Sequence, residues 1–207
     1  DPNHEDLIRK LNLIPVGLGE RKFSKDCITD KDGDNISNKN AFYGEYTFHY
    51  WIWKNYLKKI KSRWVGFCQY RKFFSKNLSI KKELSFTDFK STLIDNIEPT
   101  YEKYECILGK KFSVQNYKFS KIIKNHLIEF LKNPQLIFDK KKRSLKFHFN
   151  LFHGKGNLDL AINQLEEKYQ KDFRNYMSTN TEFHPHNMFI CKTEILKNYY
   201  EVIFPWL

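Results

Sequence analysis

The stretch WVGFCQYRKFF, Trp64–Phe74, decides how the rest of the chain is read. By strand alternation Val65, Phe67, Gln69 and Arg71 share one face, and Gly66, Cys68 and Tyr70 the other. The first half suits a sheet core. The second half puts an amide and a guanidinium where the apolar pattern should continue. A buried unpaired charge costs several kcal/mol, comparable with the net stability of a domain. Arg71 is therefore expected to meet an anion at the strand's carboxyl end, where open α/β sheets gather ligands. Phosphate is favoured over an ion pair with a neighbouring acid.

Just upstream, AFYGEYTFHYWIWKNYLKKI (Ala41–Ile60) repeats apolar residues at helical spacing, with Asn40 as the expected N-cap. Apolar bulk on nearly every side predicts a buried helix and makes the strand from Trp64 a central one. LIPVGLG (Leu13–Gly19) reads as a short strand and turn, YECILG (Tyr104–Gly109) and NMFICK (Asn187–Lys192) as strands. LKFHFN (Leu145–Asn150) alternates like a strand too. Helices are expected from SFTD (Ser85–Asp88) toward Ile97, over Phe119–Leu131, over Leu158–Tyr169 capped by Asn157, and from a Thr193 cap toward Val202. The alternation predicts an α/β fold with a mixed sheet, in a single domain over residues 1–207.

The totals support a packed protein. Hydrophobic residues make up 41% of the 207, with 19 Phe and 12 Tyr, which excludes disorder. A formal charge of +12 points to a polyanionic partner. No zinc finger, RNP-like motif or basic recognition helix accompanies it, so nucleic acid is not expected. The one basic run, KKKR (Lys140–Arg143), reads first as a solvated loop. Cys27, Cys68, Cys106 and Cys191 are too far apart for a metal knuckle or redox pair, which fits a reducing cytoplasm. No signal peptide or spanning segment is visible, so contact with a membrane is expected to be peripheral. A start at Asp1 without Met and an end on FPWL suggest a piece of a longer chain.

Five segments hold groups fit for chemistry. DKDGDNIS (Asp30–Ser37) resembles a calcium loop, but Asn35 and Ala41 stand where Gly and Glu are needed. Its D-x-D pattern also suits a divalent metal, manganese or magnesium, or simply an Asx-type turn. Asp34 and Asn35 remain open between ligand and turn; Asp30 and Asp32 read as structural. Glu45 and His49 lie i,i+4 on the aromatic helix and are expected to touch. Gln69 and Arg71 are the third group. In FHGKGNLDLAI (Phe152–Ile162), Asp159 in the first helical turn and His153 are candidate bases. In FHPHNMFICK (Phe183–Lys192), His184, His186 and Asn187 lead into a strand and suit a sugar acceptor or a turn.

In order, GDNIS, YGEYTFHYWIWKN, WVGFCQYRKFF, FHGKGNLDL, HPHNMFI and FPWL resemble a bacterial capsule glycosyltransferase family catalogued as domain of unknown function 4422. The likeness spans Leu13–Leu207; YWIWKN and the CxYR strand are its specific parts. It implies a GT-A-like transferase, acting on capsular or O-antigen polysaccharide and linked to galactofuranose transfer from a UDP donor. It matches Asp34, Asn35, Glu45, Tyr70, Arg71, Asp159 and Asn187 to the family pattern; with the residue reading above, donor roles are expected for Asp34, Asn35, Glu45, Gln69, Tyr70 and Arg71, and acceptor roles for His184 and Asn187. Asp159 is the implied base, with His153 or His186 second. The family has His where Gln69 stands, and usually opens on a strand and Thr-His-Lys turn that this chain does not show. Arg71 is expected to neutralise the donor diphosphate in place of a metal. The rival reading is a non-catalytic glycan- or partner-binding domain of a capsule protein.

Overall fold

The computed structural model describes residues 2–69, 71–76, 84–116, 127–132, 134–139 and 142–207. In chain order the elements begin α1 (Pro2–Lys10), β1 (Val16–Gly17), β2 (Ile28–Thr29), α2 (Asn40–Tyr43), α3 (Tyr46–Trp51), β3 (Trp64–Phe67), α4 (Phe86–Thr92) and β4 (Cys106–Leu108). They continue β5 (Phe112–Ser113), α5 (Leu127–Lys132), α6 (Gln135–Phe138), α7 (Leu145–His153), α8 (Asn157–Asn163) and α9 (Glu167–Thr179). The chain closes with β6 (Glu182–Phe183), β7 (Phe189–Lys192) and α10 (Thr193–Trp206). This is a mixed α/β protein with small sheets. It divides into two compact units, residues 1–109 with 187–205, and residues 110–186 with 206–207.

In the first unit β7 stands between β3 and β4 and runs antiparallel to both. The central position expected for β3 therefore belongs to β7; among the described residues β3 borders β7 alone. Burial gives the reason: Ile190 and Cys191 of β7 are buried, whereas Gly66 on β3 is exposed. The alternation itself holds. Val65, Phe67, Cys106, Phe189 and Cys191 pack against Phe48, Ile52, Leu196 and Tyr200. On the opposite face, Trp64, Gly66 and Ile190 line a largely apolar cavity of about 240 Å³ with Leu13, Phe73 and Leu93. A separate two-stranded parallel ladder joins β1 to β2, Val16 to Ile28 and Gly17 to Thr29.

The single helix expected over Ala41–Ile60 is broken. Gly44, at φ 53° and ψ −130°, ends α2 in a conformation side-chain-bearing residues avoid. α3 then runs into a π turn at Ile52–Tyr56 and a 3-10 turn at Leu57–Lys59. Asn40 lies inside α2 and does not cap it. Its amide donates to the Gly44 carbonyl at 2.8 Å and to Thr47 Oγ1 at 3.2 Å, stapling the break. Ser85 does cap α4, accepting from the Asp88 amide at 3.1 Å and donating to its carboxylate at 2.7 Å. α4 stops at Thr92, short of Ile97, because Leu93 turns extended and is buried.

In the second unit LKFHFN is helix, not strand. Ser144 caps α7 by accepting from the Phe147 amide at 3.3 Å. Phe147 and Leu151, one helical turn apart, pack on Phe130 and Leu136, so the 3.6-residue period wins over the short alternation. The helix expected from Leu158 to Tyr169 is two, α8 and α9. α8 starts from Gly156 at φ 91°, and Asn157 donates to the His153 carbonyl at 2.6 Å, so it does not cap. β5 and β6 pair antiparallel, Phe112 with Phe183. The start of the helix expected from Phe119, and Lys140 and Lys141 of the basic run, lie outside the described residues. No described helix is long and apolar enough to cross a membrane.

Candidate functional site

The site grows from the register of β3 and β7. Phe67 pairs with Phe189. Gln69 and Asn187 lie two residues beyond this pair, past the end of β3 and before the start of β7. Gly44 restarts the chain so that Glu45 sits at the N-cap of α3, facing these strand ends. Gln69 Nε2 donates to Glu45 Oε1 at 2.8 Å, and Asn187 Nδ2 donates to Glu45 Oε2 at 3.3 Å. All three side chains are half-buried. A carboxylate that accepts from two amides has a partner for each oxygen and still leaves lone pairs and amide carbonyls for hydroxyl donors. Three predicted site residues from distant segments thus meet at one point.

His49 is not Glu45's partner. Its Nδ1 lies 2.7 Å from the Tyr200 hydroxyl, and its ring packs against Phe67 and Phe189, which also touch each other. Burial pushes its pKa down from 6.5 to about 4, so the ring is neutral and belongs to the core. The same burial drives the Tyr200 phenol strongly up.

The DKDGDNIS loop is strapped to the YWIWKN segment. Trp51 Nε1 donates to the Asp32 carbonyl at 2.8 Å, and the Tyr50 hydroxyl donates to Asp34 Oδ1 at 3.2 Å. Asn55 accepts from the Asp34 amide at 3.1 Å and donates to its carbonyl at 2.7 Å. The Tyr50 phenol is raised by burial and then by Asp34. Sequence reasoning quoted these residues but missed this job; the five-residue step from Tyr50 to Asn55, a π-helical spacing, was the available signal. Asn35 ties its own turn, donating to the Lys31 and Gly33 carbonyls and accepting from Ser37. Asp30 is wholly buried and accepts from the Gly19 amide and Thr47 Oγ1, while Asp32 and Asp34 are exposed. Among the described residues no group of three His, Cys, Asp or Glu side chains is placed to hold a metal ion.

Arg71 does not continue the strand face. The Lys72 amide donates to the Gln69 carbonyl at 3.0 Å, closing a tight turn with Arg71 third in it and exposed. Because the residue is exposed, the burial cost expected for it on the strand face does not arise. Tyr70 lies outside the described residues.

The other candidates belong to the second unit. Asp159 Oδ1 accepts from Lys146 Nζ at 2.9 Å and Arg174 Nη1 at 2.8 Å, tying α8 to α7 and α9. His153 is exposed at the end of α7, 4.6 Å from the Phe149 ring. His184 is half-buried and His186 exposed, just beyond β6.

A solved apo structure of the WbbM bifunctional glycosyltransferase is similar in fold, with a TM-score of 0.59 and 24% sequence identity. The match covers 87% of this chain and 30% of that one, so the chain spans less than a third of that protein's length. None of the curated proteins matches this chain. The match that covers nearly every residue, 4–207, is to a sequence family, and the chain belongs to it: Domain of unknown function (DUF4422).

Proposed function

We propose that the chain is a nucleotide-sugar-dependent glycosyltransferase domain of GT-A type. It transfers a sugar, galactofuranose favoured, from a UDP donor to a growing capsular or surface polysaccharide. The observation that carries this reading is the Glu45–Gln69–Asn187 cluster. A carboxylate braced by two amides at strand ends suits the hydroxyls of a sugar. The fold likeness to a glycosyltransferase supports the class.

Asp34, Asn35, Glu45, Gln69 and Tyr70 are proposed to bind the donor, with Arg71 reaching its diphosphate from the exposed turn. Asn187 is proposed for the acceptor. In the second unit the proposed proton acceptor is Asp159 through Oδ2, since Oδ1 is taken by two cations; His153 and His186 are the alternatives and His184 an acceptor ligand. The double ion pair at Asp159 also favours the second reading, a glycan-binding module without catalysis.

Calorimetric titration of UDP tests this, using wild type, Glu45→Gln and Arg71→Ala, first with EDTA and then with manganese. The expected result is binding in EDTA that Arg71→Ala abolishes. Binding that requires manganese would shift the diphosphate role to the acidic loop. Failure to bind under both conditions would leave the glycan-binding module.

A further inference from the structure

The second unit carries a surface that its own core does not use. On α5 and α6, Phe130 and Leu136 are 1% and 8% exposed and meet Phe147 and Leu151. Other large apolar side chains on the same two helices stay outside: Leu127 at 52% exposure, Ile128 at 68%, Leu131 at 70% and Phe138 at 85%. Single exposed apolar residues are ordinary, but a concentration in one short segment marks an interaction site. The segment is cationic on balance: over residues 127–143 five Lys and Arg outnumber the two acids, Glu129 and Asp139. Lys132 ends α5 exposed, and exposed Lys142 donates to Gln135 at the start of α6. The sequence adds Lys140 and Lys141. Arg143 is not part of this face; it is buried, with Nε donating to the Leu136 carbonyl at 2.7 Å.

Protruding Leu, Ile and Phe beside ammonium groups form the chemistry of an interfacial segment. The apolar side chains enter the boundary between headgroups and acyl chains, and the lysines stay at anionic headgroups. We infer that this face of the second unit docks peripherally on an anionic lipid surface. Charge complementarity selects a membrane, and the high exposure of Ile128, Leu131 and Phe138 fits tips that insert rather than walls that line a groove. The inference does not rest on the proposed transferase activity.

Vesicle co-sedimentation of the whole chain tests it, with phosphatidylcholine alone and with added phosphatidylglycerol. A charge of +12 will draw the protein to anionic vesicles by itself, so the decisive variant leaves charge untouched: Ile128→Ser with Leu131→Ser and Phe138→Ser. Wild type should prefer the anionic vesicles, and the triple variant should bind them about tenfold or more weakly, with unchanged circular dichroism. Should the triple variant misfold, Phe138→Ser alone reads the same effect at the most exposed position. Equal binding by wild type and variant would overturn the inference, since charge alone would then explain adsorption. So would wild type that ignores anionic vesicles, or an apolar face whose substitution only dissolves a self-association seen by ultracentrifugation.

Discussion

Glu45 shows how one residue can gather a site. Each of its carboxylate oxygens accepts from a different strand end, so one side chain joins two segments far apart in the sequence. Glu45→Gln keeps the shape, removes the charge and sets three amides against each other. Donor turnover, followed as UDP release, should fall by about a hundredfold, the scale of losing a group that orients or exchanges a proton, while the melting temperature changes little. Unchanged turnover would remove Glu45 from the site. His49 makes a different prediction, about stability. Its folded pKa, about 4, lies below the unfolded value of 6.5. Unfolded chains take up a proton near pH 6.5, and folded ones only near pH 4. Stability is thus complete above pH 6.5 and is lost as pH falls through this window, by on the order of 3 kcal/mol from this residue. Urea midpoints at neutral and mildly acidic pH measure the slope, and His49→Phe should flatten it. The residue types at the site were legible from the quoted motifs. The Glu45–His49 contact was misread because i,i+4 spacing says that two side chains can touch, not which neighbour each prefers.

At the scale of elements, the π turn at Ile52–Tyr56 and the acidic loop are one structure. Gly33, at φ +64°, brings the loop against Asn55, and a Cβ there would fall on Asn55 Oδ1. Gly33→Ala therefore breaks the strap by strain and overlap, and Asn55→Ala breaks it by removing bonds to Asp34. Each should cost about 1–3 kcal/mol. The double variant should cost less than the sum, because both lose the same contact. Chemical denaturation of the four proteins completes the cycle; strict additivity would mean that the strap does not act as a unit. Ser85→Ala should cost about 1 kcal/mol by uncapping α4, a loss that Ser85→Thr, which keeps the hydroxyl, should largely avoid. Capping chemistry of this kind is local, which is why SFTD was readable. LKFHFN was not, because six residues cannot separate a period of two from one of 3.6 when the deciding partners, Phe130 and Leu136, lie elsewhere.

Across the whole molecule, the +12 charge is the property that bears most directly on the partners proposed above. UDP and anionic lipid would both be drawn to it over distances that salt screens. Raising ionic strength from about 0.05 to about 0.5 M should weaken UDP binding severalfold, and binding indifferent to salt would argue that long-range charge plays no part. The sequence by itself determined the α/β alternation, the apolar runs that became β3, β4 and β7, the Ser85 cap and the polar residues worth testing, since each depends on neighbours within a few positions. Only the tertiary structure decided that β7 lies between β3 and β4, that Glu45 turns from His49 to Gln69 and Asn187, and that Arg71 leaves the strand face in a turn. Glu45 and Asn187 are 142 positions apart. Strand register and packing, rather than local preference, set which distant polar groups share a point, because the free energy of burying β7 between its neighbours is a property of all three strands together.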